Sequence, residues 1–305
     1  MRKGQERESR VDTMSEEHFL PLNRAILWIL LSTLFISGSA FMGWLYYLHV
    51  REVRLKDDQY RIVAIVQNTP QRDSLKTVYL AELLNLSFDQ PKNLYQFNSV
   101  EGEKMLLKHP VIQQAAIKKI LPGALYINYV MRTPIAFIGD ILNTAVDEEG
   151  VLFPFHPFFT PKRLPILYLG LTLEELEWGK SLQSTHIGQI AFRLLHQFQC
   201  LIGGEFFLKQ LDVANALADS YGQRQIVMIL EKHDQNHDSE EDIYRVILRL
   251  SADHTEQNLV NFRTFYASMI EKEQRGEGEK RCPRKNLPMI MDFRIPHLAF
   301  IRSEK

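Results

Sequence analysis

The chain has 305 residues and a formal net charge of −1, with 45% hydrophobic and 24% charged residues. These values are typical of a globular protein. A net charge this close to zero argues against nucleic acid as the main partner, because phosphate binding requires a basic surface. The two cysteines, Cys200 and Cys282, have no zinc-ligand spacing. They could pair in an oxidising compartment, but Cys200 falls in a predicted helix, where we expect a buried free thiol.

The dominant feature is the run Ala25–Val50, 26 residues without Asp, Glu, Lys or Arg. A bilayer core requires about 20 apolar helical residues, so this run is predicted to be a transmembrane helix. Trp44, Tyr46 and Tyr47 would then lie near the headgroups. Two alternatives stay open. Gly38-Ser39-Ala40 resembles a signal-peptide cleavage site, and a soluble domain could bury such a helix. The apolar residues that continue to Val50 favour a permanent anchor.

The charges that flank this run indicate its orientation. Arg10 and Arg24 precede it, whereas four basic residues follow it: Arg51, Arg54, Lys56 and Arg61. The positive-inside rule therefore favours a cytoplasmic body, although long domains translocate largely regardless of flanking charge. Within the run, Ser32, Ser39 and Gly43 share one helical face, on which a second membrane helix could pack closely. Such small residues are also common in membrane helices generally.

A small unit of strands and helices is predicted behind this helix. Three segments have the β-branched or alternating apolar pattern of strands: Arg61–Gln67, Ile112–Leu121 and Ala124–Met131. Two helices are predicted between the first two strands. The first is capped by Asp73 or Ser74, and the second has Asn98 and Glu101 at capping-box spacing. The dipeptide Pro122-Gly123 predicts a tight turn between the last two strands.

Residues 135–305 predict a second, β-rich unit with two helices. Its predicted strands are Ile135–Ile138, Val151–Phe155, Leu164–Leu169, Phe206–Ala214, Arg224–Leu230, Ile243–Leu250, Met289–Arg294 and Leu298–Ile301. Apolar residues at helical spacing predict one helix within Ile187–Ile202 and another within Leu259–Ile270. Asp147–Gly150 predicts the turn between the first two strands, and the polar run Glu271–Lys285 predicts a solvated loop.

Several clusters could carry chemistry, and each also has a simpler interpretation. His233-Asp234 and His237-Asp238 have the spacing of metal ligands on one helical face, but their polar surroundings favour a surface loop. Asp147-Glu148-Glu149 precedes a glycine and favours a solvated turn, whereas general acid catalysis requires a desolvated carboxyl group. His186 and His196 favour ordinary positions on or beside a helix. The sequence has no nucleophile, phosphate-loop, metalloprotease or dinucleotide motif, so we predict a non-enzymatic protein without metal or cofactor.

Short sequence words connect this order of elements to a known family. The words are Asn93–Phe97, Leu107–Val111, Lys118–Leu125, Arg132–Phe137, Val146–Phe153 and Ile290–Arg294. In this order and spacing the chain resembles the bacterial cell-division family FtsQ (DivIB), in which one membrane helix precedes a POTRA module. Two positions differ from the family pattern. Met131 replaces the usual acidic residue before Arg-x-Pro, and the usual glycine after the first strand is missing.

The resemblance implies an α+β protein in five parts. They are a cytoplasmic head (1–24), a transmembrane helix (25–50), a stalk (51–59), a POTRA module of β-α-α-β-β order (60–134), and a mixed β-rich FtsQ-like domain with two helices (135–305). It also implies a single-pass type II protein of the bacterial inner membrane, with its body outside the cytoplasm at the division septum. The implied role is a non-enzymatic divisome scaffold that helps to control septal peptidoglycan synthesis.

The resemblance further implies a partner-binding edge. In this family, coiled-coil partners similar to FtsB (DivIC) and FtsL dock along the C-terminal edge, and other divisome membrane proteins bind elsewhere. A terminal strand also offers free backbone groups to a partner strand. The predicted edge comprises Arg294, Ile295, Leu298, Ala299, Phe300 and Ile301. Arg294 matches the family's arginine, whereas Ile295 replaces the usual aromatic residue.

Three alternatives to this interpretation stay open. The last strand could pair entirely within the domain and complete its core. The protein could instead be a POTRA protein of secretion or outer-membrane assembly. The third alternative, which lacks a catalytic motif to support it, is a membrane-tethered envelope hydrolase.

Overall fold

The structure is a computed structural model, and it describes residues 22–87, 89–172, 177–233, 243–274, 288–295 and 298–303. The helices are α1 (Leu22–Lys56), α2 (Thr77–Leu83), α3 (Ser99–Leu107), α4 (His186–Leu201) and α5 (Thr255–Gln274). The strands are β1 (Ala64–Asn68), β2 (Ile112–Ile120), β3 (Ala124–Met131), β4 (Ala136–Ile138), β5 (Thr144–Val146), β6 (Leu152–Pro154), β7 (Ile166–Tyr168), β8 (Phe207–Asp212), β9 (Ile226–His233), β10 (Ile243–Leu250), β11 (Met289–Asp292) and β12 (Phe300–Ser303). They form the α+β architecture that the sequence predicts.

The long helix α1 contains the whole predicted apolar run and continues beyond it. It extends to Lys56, so most of the predicted stalk is helical. Among the described residues, α1 is the one helix long and apolar enough to cross a membrane, and none of its apolar window is buried. One such helix near the N-terminus is consistent with a single membrane anchor or with a signal sequence.

The small sheet has the predicted β-α-α-β-β chain order, with β3 between β1 and β2. β1 runs parallel to β3, with Ala64 opposite Ala124, and β2 runs antiparallel to β3, with Ile112 opposite Met131. Asn98 caps α3 as predicted, because its side-chain oxygen accepts hydrogen bonds from the backbone N–H groups at the start of the helix. Alternate β3 residues are buried under the helices: Leu125, Ile127, Tyr129 and Met131.

The predicted cap of α2 is wrong. The N-cap position belongs to Lys76, whose side chain makes no capping hydrogen bond, and Asp73 lies outside the helix. Its carboxylate instead accepts hydrogen bonds from Thr160, 3.0 Å from Oγ1, and from Lys162, 2.9 Å from Nζ. Asp73 therefore bonds residues that are distant in sequence and does not cap the helix, although the local pattern predicts a cap.

Within the described part of the chain, the large sheet has nine strands in the order β12-β11-β10-β9-β8-β7-β4-β5-β6. It is mixed, because β7 pairs parallel with β4 and β8, and β10 pairs parallel with β11. The short strand β5 was not predicted. It pairs with both β4 and β6, so the turn at Asp147–Gly150 joins β5 to β6 and not β4 to β6.

Helices α4 and α5 share one hydrophobic core with the large sheet. The predicted apolar face of α4 is confirmed, with Ile187, Ala191 and Leu194 buried. Cys200 lies on the other side of α4 and is exposed. The expectation of a buried thiol is therefore wrong, because Cys200 falls outside the helical period of the buried residues. Cys282 lies outside the described residues, as does the predicted loop Glu271–Lys285 apart from its first four residues, which continue α5.

Candidate interaction edge at strand β12

Strand β12 ends the large sheet and pairs with β11 alone among the described strands. Their antiparallel register places Phe300 opposite Asp292 and Ile301 opposite Met291. The strand begins two residues later than predicted. Leu298 and Ala299 precede it, and the N–H of Leu298 donates to the carbonyl of Ile295 at 3.2 Å. The edge that the sequence predicts is present, with its last residue at Ser303 and not at Ile301.

The hydrogen bonds of β11 identify which groups of β12 face outward. The N–H of Phe293 donates to Arg249 of β10 at 2.8 Å. Backbone groups alternate sides along a strand, so Asp292 and Ile290 direct theirs toward β12. Their partners Phe300 and Arg302 are then bonded within the sheet. The outward N–H and C=O groups consequently belong to the other two residues of β12: Ile301 and Ser303.

The side chains of β12 differ between the two faces of the sheet. Ile301 packs against the core of the large sheet. Phe300 lies on the other face and is 57% exposed, and Ile295 and Leu298 in the preceding turn are similarly exposed. The edge therefore combines outward-facing backbone groups, which have no partner strand among the described residues, with apolar side chains that a partner could cover.

Arg294 is fixed by an ion pair within its own turn. Its Nε and Nη2 atoms donate to the carboxylate of Asp292 at 3.0 and 2.7 Å. Burial would raise the pKa of Asp292, but these hydrogen bonds outweigh it and hold the pKa below its ordinary value of 3.8. The hydrogen bonds that Arg294 donates to Asp292 raise the pKa of Arg294 in turn. Arg294 therefore shapes the turn at the end of β11 and presents a neutralised charge to a partner.

A groove of about 450 Å³ lies beside this turn. Phe300, Ile295 and Arg294 line the groove. Leu217 and Tyr221, from the connection between β8 and β9, also line it and are more than half exposed. Sequence reasoning missed these two residues because some 70 residues of chain separate them from the edge.

The residues predicted to pack against another membrane helix lie on the exposed surface of α1. The hydroxyl groups of Ser32 and Ser39 both donate to carbonyls of their own helix, each at 2.9 Å. Space beside Gly43 is open. The hydroxyl groups are thus satisfied without a partner, and a close helix contact at this face stays a prediction.

The remaining clusters that could carry chemistry are the acidic turn at Asp147, the two histidines of α4 and the segment from His233 to Asp238. Asp147 is only 4% exposed and forms an ion pair with Arg132, so the expectation of a fully solvated turn is wrong at this residue. His186 and His196 lie on the surface of α4, as predicted. The residues from Asp234 to Asp238 and the side chain of His233 lie outside the described residues. Within the described ranges, no three His, Cys, Asp or Glu residues are grouped so as to hold a metal ion.

Comparison with known proteins adds no relative. No protein-family model matches this chain, and no curated protein matches it significantly.

Proposed function

We propose that this protein is a membrane-anchored, non-enzymatic scaffold that captures a partner strand at β12. The observation that carries the proposal is the position of β12, which ends the nine-stranded sheet with outward backbone groups at Ile301 and Ser303. Such an edge offers main-chain hydrogen bonds to any extended segment, and adjacent side chains then select among partners. Ile295, Leu298 and Phe300 supply exposed apolar surface for that selection.

The connection between α1 and the small sheet supports a permanent anchor over a cleaved signal sequence. Asn93 Nδ2 donates to the carbonyls of Arg54 and Leu55 at 2.9 and 3.1 Å. Cleavage after Ala40 would leave the rest of α1 attached to the folded body. That remnant would expose large apolar and aromatic side chains to water at a cost in hydrophobic free energy. The side chains are Phe41, Met42, Trp44, Leu45, Tyr46 and Tyr47.

The cellular setting we propose is the bacterial divisome. A β-α-α-β-β sheet directly after one apolar helix, together with the sequence words quoted above, resembles the FtsQ (DivIB) family. On this proposal the body lies outside the cytoplasm at the division septum, and coiled-coil proteins similar to FtsB (DivIC) and FtsL bind β12. Other divisome membrane proteins bind the small sheet and α1. The scaffold thereby helps to control septal peptidoglycan synthesis.

Proline substitution at the outward-facing position of β12 tests strand capture. Proline has no N–H group, so Ile301→Pro removes a hydrogen bond to the added strand and opposes its approach. We expect a loss of about 1–3 kcal/mol, or about five- to 150-fold in affinity. The measurement is the amount of coiled-coil division protein that co-purifies with the full chain from bacterial membranes, with the bound chains identified by mass spectrometry.

Two control variants separate the backbone contribution from side-chain effects. Ile301→Ala keeps the N–H group and removes most of the side chain, so capture should fall much less. Leu298→Pro removes an N–H group that is bonded to Ile295 and not to a partner, so it should not reproduce the loss. Thermal melting verifies that each variant folds. Undiminished capture by folded Ile301→Pro would contradict strand addition at β12.

A further inference from the structure

One end of the small sheet carries exposed apolar side chains. Leu121, at the turn between β2 and β3, is 63% exposed, and Ile120 and Val63 are exposed beside it. Ile120 pairs with Ala124, and Ala124 pairs with Ala64, the neighbour of Val63. The three apolar residues therefore lie at the same end of the sheet, and we name Val63, Ile120 and Leu121 the basal patch.

Basic side chains surround the basal patch. Lys118 and Lys119 precede Ile120 on β2 and are exposed. Lys92 is also exposed, and its carbonyl accepts a hydrogen bond from Ile62 at 2.9 Å, next to Val63. Apolar residues flanked by lysines are typical of surfaces that lie on anionic bilayers, where the apolar part enters the interface and the ammonium groups bind headgroups.

The basal patch is attached directly to the end of α1. A Cβ atom placed on Gly123 would lie 2.1 Å from the carbonyl oxygen of Arg61, so the turn packs closely on the chain that leaves α1. Asn93 binds the last carbonyls of α1, and the ring of Tyr95 lies 5.0 Å from that of Tyr60. These contacts join the turn that carries the patch to the end of α1.

The patch lies close to the level of the lipid headgroups. Lys56 is the sixth helical residue after Val50, the end of the apolar run, and lies about 9 Å further along the helix axis. A headgroup layer is about 5–8 Å thick. Lysine side chains extend several ångströms toward such a layer, and the ordinary tilt of a membrane helix, about 20°, brings one side of the sheet closer.

The geometry points to a second membrane contact, in which the basal patch docks on the headgroup layer of the bilayer that α1 crosses. Leu121 and its neighbours enter the interface, and Lys92, Lys118 and Lys119 bind anionic headgroups. This inference rests on the proposed membrane anchoring. A helix alone allows the body to rotate and tilt, whereas a helix with a second contact fixes its direction. The docked patch thus sets the orientation in which β12 meets a membrane-bound partner.

The experiment places an environment-sensitive fluorophore at three positions of the full chain. Single cysteines are introduced as Leu121→Cys, Val78→Cys or Ile36→Cys, with Cys200→Ser and Cys282→Ser in the background. Val78 is the matched control. It is apolar and 70% exposed. It follows shortly after Leu75, whose N–H donates to the hydroxyl group of Tyr129, and Tyr129 lies about 20 Å along β3 from the turn. The protein is reconstituted in vesicles of phosphatidylcholine, alone or mixed with phosphatidylglycerol. Iodide then reports exposure to water, and headgroup-labelled nitroxide lipid reports contact with the interface.

We expect iodide to quench the Leu121 label several-fold less than the Val78 label in mixed vesicles, and nitroxide lipid to quench it strongly. Vesicles without phosphatidylglycerol, or the pair Lys118→Gln and Lys119→Gln, should reverse both effects. Equal exposure of the Leu121 and Val78 labels, with a shielded Ile36 label, would contradict docking of the basal patch but not the membrane anchor. Shielding of the Leu121 label from iodide without quenching by nitroxide lipid would also contradict docking on the bilayer and would indicate a protein contact. A water-exposed Ile36 label would overturn the anchor itself.

Discussion

Glu231 is a buried carboxylate of the large sheet with three basic partners. Its side chain is buried, and its carboxylate oxygens lie 2.8 Å from Lys209 Nζ, 3.3 Å from Arg245 Nη2 and 3.4 Å from Arg163 Nη2. Burial would raise the pKa of Glu231, but the hydrogen bonds from Lys209 and Arg245 outweigh it and lower the pKa below its ordinary value of 4.5. The ionised carboxylate therefore stabilises the fold.

This lowered pKa predicts the acid sensitivity of the fold. A depressed folded-state pKa contributes stability above the unfolded value of about 4.5, and the contribution is lost as the pH falls through the folded value. Glu231→Gln should lower the free energy of unfolding at neutral pH by about 1–2 kcal/mol. This loss is smaller than for a fully buried ion pair, because the three basic partners are about half exposed. The substitution should also make the free energy of unfolding fall less steeply below about pH 4.5. Urea unfolding across this pH range measures both effects.

The control for this prediction is Glu177→Gln. Glu177 forms an exposed ion pair with Lys180, and such pairs contribute about 0–1 kcal/mol. Equal losses in the two variants at neutral pH would contradict a special role for Glu231.

At the scale of elements, one buried amide side chain bonds the end of α1 to the small sheet. Asn93 is buried, binds the carbonyls of Arg54 and Leu55, and accepts a hydrogen bond from the N–H of Tyr95 at 2.8 Å. Asn93→Ala leaves these groups without partners, and we expect a loss of about 1–3 kcal/mol. The last turn of α1 should also fray, so proteolysis between residues 51 and 60 should accelerate.

Asn128→Ala is the matched control for the junction. Asn128 bonds Asn68 on the exposed face of the same sheet, where water can replace the lost partner. Cleavage of Asn93→Ala at the wild-type rate would show that α1 is held to the sheet by other contacts.

Elements with long periodic patterns were predictable from sequence. Very short elements, and helix ends that depend on long-range contacts, were not. The alternation along β3 and the apolar face of α4 each repeat over several turns or pairs, and both were predicted correctly. Strand β5 has three residues, too few to show a period. The predicted start of α2 is wrong because the carboxylate of Asp73 accepts hydrogen bonds from Thr160 and Lys162. Local sequence does not reveal such long-range contacts.

The position of the candidate site at a sheet edge was predictable from sequence, but the direction of its backbone groups was not. A terminal strand suggests an edge, and the structure has β12 at that edge. Which N–H groups point outward depends on the pairing of β12 with β11, so the sequence alone does not distinguish Ile301 from Leu298 and Phe300. Leu217 and Tyr221 also line the groove, and the folding of the whole sheet brings them there.

At the scale of the whole molecule, the small sheet shares a hydrophobic core with the first strands of the large one. The buried cluster beneath β2 and β3 includes residues beyond the predicted boundary at 134/135: Ala145, Phe153, Phe155 and Phe159. Phe158 contacts Tyr79 with ring centroids 5.2 Å apart, and Arg132 reaches across to Asp147. The two sheets are therefore coupled through a common core and an ion pair.

This coupling predicts that a substitution outside the small sheet destabilises it. Phe159 is 7% exposed and packs between Phe153 and Phe155, with centroids 5.6 and 5.4 Å away. Phe159→Ala leaves a cavity in the shared core, and we expect a loss of about 3–5 kcal/mol. Because the cavity adjoins the small sheet, amide hydrogens of β2 and β3 should exchange faster although Phe159 lies in neither strand. Phe300→Ala removes the same side chain from an exposed position, so its effect should stay within about 1 kcal/mol. Unchanged exchange in β2 and β3 of Phe159→Ala, with faster exchange confined to the large sheet, would show that the sheets fold independently.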